Sequence, residues 1–351
     1  MSTPVLSVKD LAITFTHDRR DVEAIRGISF EVNAGEVVAL VGESGSGKSV
    51  TARALMGLGA RGQRISGGSI ELTGPDGSLD LTTRSPRELQ RQVNGKRIAM
   101  VFQDALTCLD PTMAVGRQIA EGLRAHYRMS RAQARARAVE LLTEVGIDDP
   151  ERRYRQYPHQ LSGGMCQRVN IAIALACEPD VLICDEPTTA LDVTIQLRIL
   201  DLLARLQAER GLAVVFITHD LGVVARIADR VNVMYAGRIV EQGSVEAVFY
   251  DPRHPYTWGL LSAMPSLGSD EGPLHTIPGS PASLIDRPAG DAFAPRNEFA
   301  LELDHEQEPP YFEVSPGHRV ASWLCHPQAP TVEMPKALRA KIDSMTKVGE
   351  R

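Results

Sequence analysis

Val37-Val38-Ala39-Leu40-Val41-Gly42-Glu43-Ser44-Gly45-Ser46-Gly47-Lys48-Ser49 restricts what this chain can become more than any other stretch. Five apolar residues, mostly β-branched, predict a buried strand. A glycine-rich loop follows, and Val50-Thr51-Ala52-Arg53-Ala54-Leu55-Met56 predicts a helix. The loop fits Gly-x-x-x-x-Gly-Lys-Ser. Its glycines let several backbone N–H groups converge on one anion, and the new helix aims its positive end at the same point. Lys48 is then placed for the outer phosphates of a nucleotide and Ser49 for Mg²⁺. The spacing fails Gly-x-Gly-x-x-Gly, which disfavours a dinucleotide.

The chain is 351 residues long, enough for a large core and for two domains. Its net charge of −6 does not favour a nucleic-acid partner. No apolar run reaches the ~18 residues of a spanning helix, and Met1-Ser2-Thr3-Pro4 lacks a basic-then-apolar leader, so membrane association is expected only through a partner. Five scattered cysteines without Cys-x-x-Cys spacing give neither a disulfide frame nor a zinc site.

Short β-like runs over residues 5–40, such as Leu6-Ser7-Val8 and Ile28-Ser29-Phe30-Glu31-Val32, predict a small, mostly antiparallel sheet. Phe15 within it suits stacking on a nucleobase, and equally suits ordinary sheet packing. Residues 57–95 are rich in Gly, Ser, Thr and Arg and predict loops and short strands. Arg97-Ile98-Ala99-Met100-Val101-Phe102-Gln103 is a strand ending in an amide, and in an α/β sheet that end faces the ligand crevice. From Asp104 to Tyr157 the pattern is helical. Ser130 caps a helix with one apolar stripe through Ala138, Leu141, Leu142 and Val145, and Gly146 ends it. Arg131, Arg135 and Arg137 are expected on its solvated face.

Leu161-Ser162-Gly163-Gly164-Met165-Cys166-Gln167-Arg168 opens another helix. Ser162 is a good N-cap, and two glycines permit close backbone approach; the turn reads either as a second anion site or as a plain cap. Val181-Leu182-Ile183-Cys184-Asp185-Glu186 is a second buried strand tipped by two carboxylates. Asp185 suits the Mg²⁺ shell and Glu186 the polarisation of an attacking water. Ala213-Val214-Val215-Phe216-Ile217-Thr218 is a third such strand, and His219 after it is placed to bond a γ-phosphate. From Asp251 the composition turns to Pro, His, Gly and acidic residues, which marks a boundary.

Over residues 5 to about 250 this set resembles the ATP-binding subunit of ATP-binding cassette (ABC) transporters. Gly42–Ser49 matches the Walker A loop, Gln103 the Q-loop, Leu161–Gln167 the signature, Val181–Glu186 the Walker B strand, Ala190-Leu191-Asp192 the D-loop and His219 the switch histidine. The resemblance implies an α/β fold: a P-loop, RecA-like ATPase core over 1–250, with an N-terminal antiparallel β subdomain and a helical subdomain at about 104–175, followed by a small C-terminal extension over 251–351. It implies ATP contacts from Phe15, from the loop Gly42, Glu43, Ser44, Gly45, Ser46, Gly47, Lys48, Ser49 and Val50, and from Ser162, Gly163, Gly164 and Asp192. Ser49, Gln103 and Asp185 would hold Mg²⁺, and Glu186, His219 and Gln103 would be catalytic.

Finer features narrow the branch. Leu-Ser-Gly-Gly-Met in the signature, Ala105-Leu106-Thr107-Cys108-Leu109-Asp110-Pro111, and Arg253-His254-Pro255-Tyr256-Thr257-Trp258-Gly259-Leu260-Leu261 resemble the peptide and nickel importer subfamily. Pro255 suits the first turn of a helix whose Tyr256, Leu260 and Leu261 dock on the main domain. Many such relatives carry four cysteines that bind an iron–sulfur cluster. Here Asp291, Asn297 and Asp304 stand in such places and only Cys325 remains, so no cluster is expected. The segment through Cys325 looks like the cluster-free, oligopeptide branch.

The resemblance further implies a second homologous ATPase subunit, a different chain, stacked head to tail so that ATP lies between one Walker A loop and the other signature. It implies two transmembrane permease subunits, an external peptide-binding protein, no nucleic acid, and a peripheral place on the cytoplasmic face of the cell membrane. Leu106, Leu109 and Met113 are candidates for a groove that takes a permease helix. Dipeptide or nickel import is the nearest alternative. A DNA-repair ATPase of the same superfamily is disfavoured, since the interval between loop and signature has no sustained heptads and no Cys-x-x-Cys. A regulatory module without turnover is disfavoured by Glu186 and His219.

Overall fold

The structure is a computed structural model that describes residues 3–17, 20–75, 77–189, 191–264, 277–285 and 288–349. Ala190 of the expected D-loop lies outside the described residues. The chain opens with β1 (Leu6–His17) and β2 (Arg20–Val32), an antiparallel pair in which Phe15 faces Val22. Next come β3 (Val37–Val41) and α1 (Lys48–Leu55), then β4 (Gln63–Gly74), β5 (Gly77–Asp80), α2 (Pro86–Gln92) and β6 (Ile98–Val101). The helical stretch holds α3 (Ala105–Cys108), α4 (Val115–Tyr127), α5 (Arg131–Glu144), α6 (Pro150–Arg153) and α7 (Gly163–Leu175). After it come β7 (Val181–Asp185), α8 (Val193–Arg210), β8 (Ala213–Thr218), α9 (Leu221–Ile227), β9 (Arg230–Tyr235) and β10 (Arg238–Ser244). The chain closes with α10 (Val245–Tyr250), α11 (Pro255–Ser262), α12 (Glu302–Glu306), β11 (Phe312–Ser315), β12 (His318–Val320) and α13 (Lys336–Gly349).

Two sheets organise these elements. A small antiparallel sheet has the order β2-β1-β4-β5, and a large one the order β11-β12-β10-β9-β3-β8-β7-β6. Within the large sheet β6, β7, β8, β3 and β9 run parallel. Strands β3, β7 and β8 are buried at every position, which is why they read as apolar runs instead of alternating ones. Being parallel, they bring all their carboxyl ends to one edge, and the residues after them share one crevice.

Three hydrophobic clusters fill the spaces. One joins α4, α5, α7 and α8 to the sheet, through residues such as Leu123, Leu142, Val169, Leu203 and Phe216. A second lies between the antiparallel sheet, α1 and the large sheet, with Phe15 and Val50 packed partly buried against it. Ser130 and Gln133 close a capping box at the start of α5, and Gly146, at φ +74°, ends it as expected. Arg137 is not simply solvated: it reaches Glu144 at 2.7 Å, Glu140 at 3.2 Å and Glu178 at 3.4 Å, tying α5 to the loop before β7. Residues 57–95 hold the long strand β4, obscured in the sequence by Gly67 and Gly68. Gly68 sits at φ +80° where a Cβ would lie 2.4 Å from the carbonyls of Lys9 and Asp10, so the strand crosses β1 with a register shift.

The residues after 250 join the large sheet. Strands β11 and β12 extend it antiparallel beyond β10. The third cluster mixes core residues Ala39, Val41 and Val233 with Tyr256, Trp258, Phe293, Leu338 and Ile342. The fully buried Glu241 carboxylate of β10 takes hydrogen bonds from the backbone N–H groups of Arg253 (2.7 Å) and His254 (3.1 Å) and contacts His318 Nε2 at 2.8 Å. One buried acceptor thus pins β10, the start of α11 and β12 together. As expected, α11 buries Tyr256 and Leu261 on the main body, and Trp258 with them.

Candidate functional site

The loop after β3 takes its shape from three glycines. Gly42, Gly45 and Gly47 sit at φ +149°, +80° and +106°. A Cβ on Gly42 would lie 2.2 Å from the Met234 carbonyl oxygen, and one on Gly47 2.5 Å from Ile25 Cδ1. Larger residues would therefore push the loop off the ends of β9 and β2. Around Gly45 the space is open, and no side chain caps α1. The free positive end of a helix beneath an open glycine turn fits an anionic phosphate.

Lys48 is 5% exposed. Its Nζ donates to the carbonyls of Gly42 (2.7 Å) and Glu43 (2.9 Å) and to Ser46 Oγ (3.3 Å). Burial lowers its pKa, and the nearby Glu186, Asp185 and Glu43 oppose that shift. Ser49 Oγ donates to Asp185 Oδ1 at 3.0 Å. Asp185 is 6% exposed, and burial raises its pKa against the Ser49 hydrogen bond. A hydroxyl beside one buried carboxylate, next to a phosphate cradle, is a donor set that fits Mg²⁺, which uses few protein ligands and completes its shell with phosphate and water.

Glu186 occupies the left-handed region at φ +48°. Its carboxylate is the hub of the site: Oε2 accepts from Gln103 Nε2 at 3.1 Å and from Thr189 Oγ1 at 3.0 Å, and Oε1 lies 3.2 Å from His219 Nδ1. A strained backbone and three side-chain partners fix this acid at one place, a cost borne at functional sites. Gln103, Asp185, Glu186, His219, Lys48 and Ser49 therefore converge, because β6, β7, β8 and β3 stand side by side in the sheet.

The other expected residues belong to the start of α7, the start of α8 and the loop itself. Ser162 caps α7 by accepting from Met165 N at 3.3 Å, and Ser162 and Gly163 are exposed. Gly164 packs closely, since its Cβ would lie 2.7 Å from Ile195 Cγ2 of α8. Asp192 is exposed and caps α8 through Ile195 N at 3.0 Å. Ser44 is exposed at the loop's tip, and Ser46 is buried, its N–H bonded to Glu43 O at 3.2 Å. Of the groove candidates, Leu109 is 2% exposed and belongs to the core, whereas Leu106 is 54% and its neighbour Phe102 37% exposed.

Sequence reasoning missed what holds Glu43. Its N–H donates to the Tyr256 hydroxyl at 2.8 Å, and its carboxylate takes a two-pronged ion pair from Arg296, at 2.6 and 3.0 Å. Both partners lie beyond residue 250. The paired Glu and Arg types gave no signal across more than 200 positions of sequence.

In the extension, Asp291 Oδ1 accepts from Phe293 N (3.1 Å), Asn297 Oδ1 from Phe299 N (3.0 Å) and Asp304 Oδ2 from Leu301 N (2.7 Å). Each closes a local turn. Cys325 is a free thiol whose pKa is pushed up to about 11 by burial. Among the described residues no group of three His, Cys, Asp or Glu side chains is arranged to hold a metal ion.

Comparison with known proteins gives a consistent picture. The family profile described as ABC transporter matches residues 25–189, and the one described as oligopeptide/dipeptide transporter, C-terminal region, matches residues 240–302. The oligopeptide transport ATP-binding protein OppD of Bacillus subtilis is 53% identical, over 99% of this chain and 97% of that protein. The dipeptide transport ATP-binding protein DppD of Lactococcus lactis is 54% identical, over 93% of each. A solved dimeric ATP-binding cassette in a post-hydrolysis state, bound to ADP and Pi, superposes with a TM-score of 0.60 at 28% identity, covering 68% of this chain and 98% of that one.

Proposed function

Since this chain belongs to the ATP-binding subunits of ABC oligopeptide/dipeptide transporters, we propose that it hydrolyses ATP to drive the import of oligopeptides across the cell membrane. The observation that carries the reading is the Glu186 carboxylate, fixed by Gln103, Thr189 and His219 beside the Ser49–Asp185 pair.

The loop N–H groups, the start of α1 and Lys48 bind and orient the triphosphate. Lys48 exchanges its carbonyl partners for phosphate oxygens. Ser49, Asp185 and Gln103 would hold Mg²⁺, which would supply charge neutralisation to the bound phosphates. Glu186 accepts the proton of the water that attacks the γ-phosphorus, the bond to the β-phosphate oxygen breaks, and ADP, phosphate and a proton result. His219, already against Glu186, is in reach of the γ-phosphate. Base stacking is assigned to Phe15, which is partly buried against the second cluster.

The exposed Ser162–Gly163 turn suits the nucleotide face of a second, homologous ATPase subunit stacked head to tail. That subunit is taken to be a different chain. Hydrolysis then removes a ligand shared by two halves, and the pair can separate. No helix among the described residues is long and apolar enough to cross a membrane. The crossing is assigned to two permease subunits, with Leu106 and Phe102 exposed toward one of them at the cytoplasmic face, and cargo delivery to an external binding protein. Hydrogen-bonded turns at Asp291, Asn297 and Asp304 support an extension that works without an iron–sulfur cluster. Iron and labile sulfide analysis of the purified protein tests that point.

The deciding experiment is ATP-dependent uptake of a labelled pentapeptide by the assembled transporter in vesicles. Uptake that stops with Lys48→Ala supports the reading, and ATP-independent uptake contradicts it. Dipeptide import is the second reading, favoured by the likeness to DppD. Competition by unlabelled dipeptide against the pentapeptide separates the two.

A further inference from the structure

Glu43 is held on three sides. Lys48 Nζ bonds its carbonyl at 2.9 Å, Tyr256 accepts its N–H at 2.8 Å, and Arg296 takes its carboxylate in both arms of the guanidinium. The first of these is temporary, because Lys48 is the group that turns to the phosphates. This step rests on the nucleotide-binding reading above. When Lys48 leaves, the Glu43 carbonyl keeps the Ser46 N–H at 3.2 Å, but its own N–H and its carboxylate are held by Tyr256 and Arg296, both from the extension.

Those two residues are themselves rigidly set. Tyr256 is fully buried, with its ring against Tyr235 (centroids 4.7 Å apart) and Phe293 (5.3 Å). Arg296 is 8% exposed; its Nε donates to Pro278 O at 2.8 Å and its Nη1 to the Tyr235 hydroxyl at 3.3 Å. Burial is the largest single influence and works against its charge, but the hydrogen bonds to Glu43 and Tyr235 and the nearby Tyr235 and Glu43 charges together outweigh it and raise its pKa. The pair also answers an electrostatic problem. A carboxylate on a loop that receives a polyphosphate repels it, and a bidentate Arg both neutralises that carboxylate and turns it away.

We propose that Arg296 and Tyr256 of the C-terminal extension are positioning residues for nucleotide: through Glu43 they hold the phosphate loop in its anion-accepting shape and mask its one carboxylate. The extension is thereby part of the ATP site, although it contributes no phosphate ligand. State changes in the extension reach the loop through these two side chains.

The test uses the full chain and MgATP, with affinity read by calorimetry and melting temperature read in parallel. Arg296→Gln leaves Glu43 unpaired and should weaken MgATP binding by about tenfold. In the assembled transporter the ATP KM should rise, while kcat at saturating ATP stays within about twofold. Glu43→Gln added to Arg296→Gln should restore most of the affinity, because the free carboxylate is gone. Tyr256→Phe keeps the buried ring and removes only the hydroxyl, and should weaken binding by a smaller factor. Unchanged affinity in both Arg296→Gln and Tyr256→Phe overturns the inference. So does a loss that tracks a lowered melting temperature and is not relieved by Glu43→Gln, since that marks mere bracing of the fold. If the parent chain itself does not bind MgATP, it is the ATPase reading that fails.

Discussion

The Ser49 hydroxyl donates to Asp185 Oδ1 at 3.0 Å across 136 positions of sequence. Strand β3 delivers one and β7 the other, and β8 lies between these strands in the sheet. The contact places a candidate Mg²⁺ shell directly under the glycine loop. The carboxyl edge of one parallel sheet thus gathers the glycine loop, the Ser49–Asp185 pair and the fixed Glu186 carboxylate.

Lys48 is nearly buried and makes three hydrogen bonds within the loop. Lys48→Ala should remove a charge-assisted phosphate contact and weaken ATP binding by roughly tenfold or more. Titration of a fluorescent ATP analogue checks this. Unchanged affinity would contradict the phosphate-loop assignment.

Gly42→Ala puts a Cβ 2.2 Å from the Met234 carbonyl at a φ that L-residues rarely adopt. The loop must shift away from β9. A destabilisation of about 1–3 kcal/mol is expected, together with loss of nucleotide binding. Denaturant unfolding measures the first and calorimetry the second. A variant that folds and binds as the parent does would show that the loop is not sterically set here.

The motif residues were legible because each lies within one short segment. Buried apolar runs announced β3, β7 and β8, and polar residues at their ends announced the crevice. The capping of α5 and the docking of α11 were legible for the same local reason. Strand β4 was not, since Gly67 and Gly68 break its pattern where it crosses β1. Strands β11 and β12 were not, because four and three residues are too short for alternation to register. The link from Arg296 to Glu43 is tertiary, and nothing local reports it. The signature turn is legible as a helix start whose glycines permit close backbone approach, but the sequence does not report that the close neighbour of Gly164 is Ile195.

That neighbour makes a prediction. Gly164→Ala should lower stability by about 1 kcal/mol through overlap with Ile195 Cγ2, 2.7 Å away. Because Cγ2 is present in Val as well, Ile195→Val should not relieve the clash, whereas Ile195→Ala should. Thermal melts of the single and double variants decide. Recovery with Ile195→Val alone would show that the pressure comes from elsewhere in the Ile195 side chain.

Asp291 gives a pH signature. Burial, with Asp304 adding repulsion, pushes its pKa up to about 6 from an ordinary 3.8, while the Phe293 N–H bond and Arg238 oppose this. Below pH 3.8 both folded and unfolded forms are protonated and the group costs nothing. As pH rises from 3.8 to 6 the unfolded chain gives up this proton while the folded state keeps it, so stability falls, and above 6 the folded state carries the buried charge and the loss is complete. Asp291→Asn keeps an acceptor for Phe293 N and should stabilise the protein by on the order of 2 kcal/mol at pH 8, a gain that fades toward pH 4. His254, pushed down to about 3 by burial, acts in the opposite sense and cancels between parent and variant. Melting curves of the two chains across pH 4–8 check this, and a pH-independent difference would contradict it.

The most direct measurement is ATP binding and ATP turnover by Glu186→Gln in the assembled transporter. The substitution preserves shape, leaves one oxygen to accept from Gln103 and Thr189, puts an amide NH2 in place of the oxygen beside His219, and removes the charge and the proton acceptor. The account predicts ATP affinity near that of the parent and turnover reduced by a factor of roughly 10²–10⁴. Parent-like turnover would contradict it, because the acid that Gln103, Thr189 and His219 hold in place would then not be the group that activates water.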